Sequence, residues 1–301
     1  MRIVFVGTVE GSKYAFQAVV RAGFVPVLVI TLPKMAAHRH SDFVDLTVDA
    51  ECAGSTVFYA TDVNALDTLE AIKSAKPDFC MVFGWSQICH KPFRSIARVG
   101  NIGFHPSALP KLRGRAVIPW TILLNLKETG STIFWLDDAV DSGPILLQKV
   151  FPVSPGETAR SLYLKHRSML TSMVPEALTL LQSDAPPQIY QDHQKATYCA
   201  KRTLEDGLID WRLPASEILK LIRAVGDPYP GAFTYQKEKI LFIDEAMILP
   251  NSNQYVGLVG QVQCYTDGGF AVRCGDGHCI DVRKWRSGST SMPKLHSKFV
   301  S

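Results

Sequence analysis

The tightest constraint on how this chain folds is a set of short runs, apolar at nearly every position, each followed by a turn and then by helical spacing. Ile3-Val4-Phe5-Val6 is the first, and Gly7-Thr8-Val9-Glu10-Gly11 follows it as a loop. Tyr14, Ala15, Ala18, Val19 and Ala22 then recur on one face of a helix that Gly23 closes. The pattern repeats, with strand runs at 27–30, 57–59 and 79–83 and helical stretches at 42–53 and 66–74. A strand with no polar side has no face to offer water, so it belongs in a parallel sheet covered by helices on both sides. A fifth strand is expected at 102–104.

Beyond residue 105 the rhythm changes. Residues 117–126 read as a helix, 132–136 and 145–150 as strands around a turn-rich segment, and 158–181 as one long helix. Periodicity fades between Ser183 and Thr203, where Pro186, Pro187, Asp192 and Gln194 gather. A last helix at 214–225 sets Ala215, Ile218, Leu219 and Ile222 on one face. From Phe233 onward, short β-rich runs split by Gly and Asn suggest a small barrel. The expected fold class is α/β: a Rossmann-like, mostly parallel sheet flanked by helices, with a smaller C-terminal β-rich, OB-like barrel domain. The expected bounds are 1–185 for the first domain, 186–203 for a linker and 204–301 for the second. A chain of 301 residues, 47% hydrophobic and 20% charged, can fill both cores.

Several function classes are disfavoured. The seven cysteines show no CxxC spacing, which argues for buried reduced thiols and against a zinc cluster. His38-x-His40 lies in a polar loop with no carboxylate or cysteine spaced to complete a site, so no metal is expected. Gly7-x-x-x-Gly11 lacks the dinucleotide spacing and sets Glu10 where a pyrophosphate would lie. A net charge of +4 is too thin to argue for nucleic acid on its own. There is no secretory signal and no run of about 18 apolar residues, so a soluble, cytoplasmic protein without membrane contact is expected. An oligomer remains open.

Chemistry concentrates in two segments. His105 falls at the end of the fifth strand, where open α/β sheets collect ligands, inside Gly103-Phe104-His105-Pro106-Ser107-Ala108-Leu109-Pro110. Lys111-Leu112-Arg113-Gly114-Arg115 follows at once. A histidine there handles protons near neutral pH, or is simply capped by a backbone partner. The second segment, Leu136-Asp137-Asp138-Ala139-Val140-Asp141-Ser142-Gly143-Pro144, crowds three aspartates beside a turn.

Together these motifs resemble the superfamily of methionyl-tRNA formyltransferases and sugar N-formyltransferases. The matching residues are His105, Ser107, Leu109-Pro110, Arg113-Gly114, and Asp141 with Gly143. The likeness continues through Gly207-Leu208-Ile209-Asp210-Trp211 and through residues 222–233, a run most similar to formyltransferases of a UDP-linked 4-amino-arabinose. The resemblance implies 10-formyltetrahydrofolate as donor and an amine as acceptor, with His105 and Asp141 as catalytic residues. Relatives carry an oxyanion-stabilising asparagine where this chain has Gly103, the third catalytic position; Asn101 stands two residues too early. The same resemblance puts the folate near Trp85, Ser86, Gln87, Ile88 and Cys89, with Leu136, Asp137 and Asp138 opposite. Trp85 reads either as an aromatic wall or as core packing. The acceptor is expected near Thr8, Ser12, Arg113 and Arg115, the two arginines suiting a phosphate or carboxylate unless they are merely solvated. The leading expectation is an enzyme that formylates a small-molecule amine, most of all a nucleotide-linked amino sugar. Methionyl-tRNA is the alternative acceptor, and a non-catalytic folate- or nucleotide-binding homologue is the alternative of another class.

Overall fold

The computed structural model describes residues 1–287 and 292–300. Residues 288–291 and 301, which belong to the expected C-terminal β-rich region, lie outside the described residues. The chain forms two compact units: one of residues 1–117, 127–153 and 163–200, the other of residues 118–126, 154–162 and 201–301.

The first unit is built on a seven-stranded sheet. In chain order come β1 (Ile3–Val6), α1 (Glu10–Arg21), β2 (Leu28–Thr31), α2 (Thr47–Ala53), β3 (Thr56–Tyr59), α3 (Leu66–Ala75), β4 (Phe79–Val82), α4 (Lys91–Arg94) and β5 (Gly100–His105). The two-residue β6 (Arg113–Gly114), α5 (Val117–Leu123), β7 (Glu128–Trp135), β8 (Ile145–Pro152), α6 (Ala159–Leu181) and the two-residue β9 (Tyr198–Cys199) follow, with α5 after Val117 and the first turn of α6 counted in the second unit. The order across the sheet is β3-β2-β1-β4-β5-β7-β8. The strands from β3 to β5 pair in parallel, whereas β7 and β8 join antiparallel. The α/β expectation is met, and the all-apolar runs explain it. Alternate residues of β1 enter different layers: Ile3 and Phe5 pack with Phe16, Phe83 and Met173, while Val4 and Val6 pack with Ile30, Ile72 and Phe93. Phe5 meets Phe16 and Phe83 edge to face, with centroids 5.5 and 6.0 Å apart.

Two bounds differ from expectation for local reasons. The helix expected over 42–53 begins only at Thr47, because Asp45 Oδ1 accepts from the Thr47 backbone N–H and ends the preceding loop there. The strand expected over 132–136 starts at Glu128, since Thr129, Ser131 and Thr132 are polar yet buried. Ser131 Oγ bonds His166 Nδ1 at 2.9 Å, and Gln148 Nε2 donates to Thr132 Oγ1.

The second unit carries α7 (Ala215–Val225), β10 (Ala232–Gln236), β11 (Lys239–Ile248), β12 (Val262–Thr266), β13 (Gly269–Arg273) and β14 (Cys279–Ser287). These five strands form an antiparallel sheet in the order β10-β11-β14-β13-β12. Val300 bridges to Tyr235 and Lys298 to Gln261, so one extended segment joins both edges in a barrel-like way. Trp211 fills the core, stacked on Phe299 at 5.7 Å and donating from Nε1 to Thr234 Oγ1. Truncating such a side chain to alanine costs about 3–5 kcal/mol. Ile218, Leu219 and Ile222 are the buried stripe of α7. No helix among the described residues is long and apolar enough to cross a membrane.

Candidate active site

The order β2-β1-β4-β5 makes a topological switch beside β1, and a cleft beyond the carboxyl ends of such strands is where open α/β sheets bind ligands. The strand ends are pressed together there. A Cβ on Gly7 would come 2.5 Å from Phe83 O, and one on Gly84 would come 2.3 Å from Val9 Cγ2. Only glycine permits that approach.

His105 ends β5 and is 5% exposed. Its Nε2 lies 2.7 Å from Leu112 O. A carbonyl can only accept, so Nε2 carries a proton in this arrangement. Nδ1 faces Asp141 Oδ2 at 3.4 Å. The Gly114 N–H donates to that same oxygen at 2.8 Å, whereas Oδ1 has no partner among the described residues. Asp141 therefore has one oxygen tied and one open, on a side chain 19% exposed. The sequence reaches this geometry through a folded-back turn. Asp141 sits at φ +49, Ser142 Oγ donates to Asp137 Oδ1, and a Cβ on Gly143 would collide with Trp135 O.

Gly103 lies on the same face of β5, two residues before His105. Its side-chain volume is filled: a Cβ there would come 2.7 Å from Leu136 Cδ2 and 3.2 Å from the Phe134 ring. Asn101 does not stand in for the missing amide, because its Nδ2 donates to Arg94 O at 2.7 Å.

The residues expected around a donor come together in part. Half-buried Trp85 and Leu136 pack on one apolar cluster, with Cys89 in it. Trp85 Nε1 donates to Gln87 Oε1. The Gln87 amide turns back to Val63 N–H and Thr61 O, so it braces the loop. Ser86 and Ile88 are exposed, and burial pushes the Cys89 thiol up to about 12. Asp137 O and the Asp138 carboxylate are both held by the Arg94 guanidinium.

The residues expected around an acceptor are mostly turned inward. Thr8 and Ser12 are buried; Ser12 Oγ accepts from the N–H groups of Thr8 and Val9 and donates to Phe83 O at 2.5 Å. That hydroxyl fastens the start of α1 to the end of β4. Arg113 is 1% exposed, its Nε and Nη2 donating to Gln191 Oε1 at 3.2 and 2.7 Å and its Nη1 to Tyr198 Oη at 3.1 Å. Arg115 is exposed, and close enough to His40 to disfavour its charge. Burial is the larger cause of the low His40 pKa; Asp42 opposes it and Arg39 adds to it. Sequence reasoning missed Gln191, which is 6% exposed within the stretch expected as a linker. Pro187, Ile189, Thr197 and Cys199 in that stretch also bond back to Trp135, Ile145, Arg113 and Arg115. Among the described residues no group of three or more His, Cys, Asp or Glu side chains is placed to hold a metal ion.

Comparison with known proteins adds to this geometry. Residues 1–178 match the model of a family described as formyl transferase, and residues 201–294 that of its C-terminal domain. A methionyl-tRNA formyltransferase of Desulfotalea psychrophila is 35% identical over 243 residues, 80% of this chain and 75% of that protein. Among solved structures, a sugar 3N-formyl transferase, WlaRD, determined with dTDP and 5-N-formyl-tetrahydrofolate, superposes with a TM-score of 0.68 at 19% identity over 94% of this chain and 97% of its own. HypX from Aquifex aeolicus, in complex with tetrahydrofolic acid, gives 0.66 at 19% identity; 99% of this chain is covered, but the chain spans only 46% of HypX. At such identities the structures speak for the fold.

Proposed function

The chain belongs to the formyl transferase family, and from that premise we propose that it carries a formyl group from 10-formyltetrahydrofolate to the amine of methionyl-tRNA. The relatives that cover most of the chain at 30% identity or more bear that name, and this observation carries the choice of acceptor. A nucleotide-linked amino sugar is the second reading. It is favoured by the run at 222–233, and the small net charge of +4 suits it.

The residues present fit a folate. Ser86 and Ile88 are exposed beyond β4, and Trp85 and Leu136 offer apolar surface on one cluster beside them, as a flat heterocycle requires. The bound donor supplies a formyl carbon open to attack and a nitrogen that leaves. An attacking amine has to lose a proton, and Asp141 Oδ1, which has no partner among the described residues, is free to take it. His105 stands behind that carboxylate, with Nδ1 3.4 Å from Oδ2, and helps to hold its place. With Gly103 bare, the Asn101 amide spent on Arg94 O and both His105 ring nitrogens engaged by Leu112 O and Asp141 Oδ2, a developing oxyanion on this face of β5 would take its donor from a backbone N–H or a water.

The deciding experiment offers the purified protein 10-formyltetrahydrofolate with methionyl-tRNA or with a nucleotide-linked amino sugar, and measures the formylated product. Formyl-methionyl-tRNA alone is the expected result. Product from the sugar alone transfers the proposal to the second reading. Folate binding with no product from any amine would mark a non-catalytic homologue.

A further inference from the structure

We propose that Gln191 is a positioning residue that aims the Asp141 carboxylate at His105, with buried Arg113 as its anchor. The inference rests on the reading of His105 and Asp141 as the catalytic pair, and extends it to a residue some fifty positions away in sequence.

The Gln191 carboxamide is used to capacity. Nε2 donates to Asp141 O at 2.9 Å and to Gly143 O at 2.6 Å, while Oε1 accepts from Arg113 Nε and Nη2. Its orientation needs no assumption. Carbonyls only accept and a guanidinium only donates, so the nitrogen must face residues 141 and 143, and the oxygen Arg113. Arg113 is fixed in turn by Tyr198 Oη and by His193 Nδ1, which accepts from Nη2 at 3.2 Å. Its backbone pairs with β9 as well.

What this clamp holds is a backbone that would otherwise drift. Asp141 is in the left-handed region at φ +49, a conformation that is unfavourable for a non-glycine residue and persists only where its surroundings impose it. Two hydrogen bonds from one buried amide fix the peptide group that leaves Asp141 and the one that leaves Gly143, which pins the turn directly after Asp141. The side chain is then carried to where Gly114 N–H and His105 Nδ1 meet Oδ2. Gly114 is the neighbour of Arg113 in β6, so one two-residue strand supplies both the anchor of the clamp and the donor to the carboxylate. A Cβ at Gly114 would come 2.5 Å from Cys199 O, which explains why glycine follows the arginine.

Gln191→Glu separates the two halves of the clamp: a carboxylate keeps Arg113 as partner but has no N–H for the carbonyls of residues 141 and 143. Gln191→Met removes both halves at nearly constant volume and serves if the charged variant folds poorly. The readouts are kcat and KM for methionyl-tRNA formylation, together with the ring 15N shifts of His105 in labelled protein, which do not depend on turnover. Asp141→Asn runs alongside. The expected result is a fall in kcat of about 10- to 100-fold in both Gln191 variants, with KM within about threefold, because misplacing a reacting group by about 1 Å costs on that order. The His105 shifts should move in the direction that Asp141→Asn moves them. Wild-type kcat and shifts in a folded Gln191 variant, beside a crippled Asp141→Asn, overturn the positioning role alone. A fall in kcat with His105 shifts unmoved also overturns it, since the loss would then run through another route. Should Asp141→Asn itself leave kcat and shifts unchanged, the pair reading fails and the inference fails with it.

Discussion

His105 Nδ1 stands 3.4 Å from Asp141 Oδ2, and each partner is held from behind by a backbone group: the histidine by Leu112 O, the aspartate by the Gly114 N–H. Both backbone groups come from the three residues 112–114, so that short loop sets the spacing of the pair. The His105 ring is nearly sealed, whereas the Asp141 side chain is 19% exposed.

That asymmetry makes the first prediction. His105→Ala and Asp141→Asn should each lower formyl-transfer turnover by at least about 100-fold, in the range lost when a positioned proton-handling group is removed. Far-UV circular dichroism should stay unchanged, because neither side chain belongs to an apolar cluster. Near wild-type kcat in either variant would rule out the assignment.

How far the sequence reaches is visible in particular residues. The strands β1, β2 and β4 were legible because burial on both faces leaves no polar position to confuse the reading. The placement of His105 at a strand end followed from the same rhythm. Arg113 was readable as a charged residue beside the site but not as a buried one. Its burial depends on Gln191 and Tyr198, 78 and 85 residues further on, and no local pattern announces such partners. Gln191 was invisible for the same reason: it lies in an aperiodic polar stretch, and only the fold makes its amide scarce. The filling of the Gly103 volume by Leu136 needs the register of β5 on β7, which sequence spacing does not give.

His40 yields a prediction about pH. Burial is the main cause that lowers its pKa below the ordinary value of 6.5. An unfolded chain titrates near that ordinary value, so below it the unfolded state binds more protons than the folded one. The stability tied to neutral His40 is therefore complete above about pH 6.5 and drains away as the pH falls through the folded-state pKa. His40→Gln should flatten the fall of Tm between about pH 6.5 and 5, while above that range the two proteins keep a constant difference. Parallel Tm curves across the whole range would show that His40 plays no such part.

The thiols should divide by exposure. Cys52 is exposed, while Cys80, Cys89, Cys274 and Cys279 are buried. Burial pushes the Cys89 and Cys274 thiols up to about 12, so they stay protonated and unreactive at pH 8. Iodoacetamide at pH 8 should modify one thiol quickly, and Cys52→Ser should abolish that phase. The half-buried Cys199 and Cys264 should follow slowly, and the four buried thiols only on denaturation. A fast phase that survives in Cys52→Ser would contradict this burial pattern.

Gly103 carries the last prediction, because family resemblance and packing pull in opposite directions there. By resemblance, an asparagine at this position should supply the oxyanion donor, and one such donor is worth about 100- to 1,000-fold in rate. By packing, there is no room for it. The Cβ alone would come 2.7 Å from Leu136 Cδ2, and the Phe134 ring closes the space behind. The Leu136 methyl is the end of a side chain that can turn, whereas Phe134 is 3% exposed and fixed in the core. Gly103→Asn should therefore fold with a stability loss of about 1–3 kcal/mol, the usual cost of overpacking, and should show no gain in kcat. Shortening the neighbour separates the two effects. In the double variant Gly103→Asn with Leu136→Ala, the amide has space, and the stability lost in the single variant should be partly recovered. The pair of measurements is a urea titration and formyl-transfer kinetics on both proteins. If the single variant raises kcat about 100-fold with an unchanged urea midpoint, Leu136 does not block the position, and the chain is a formyltransferase that lacks only its asparagine.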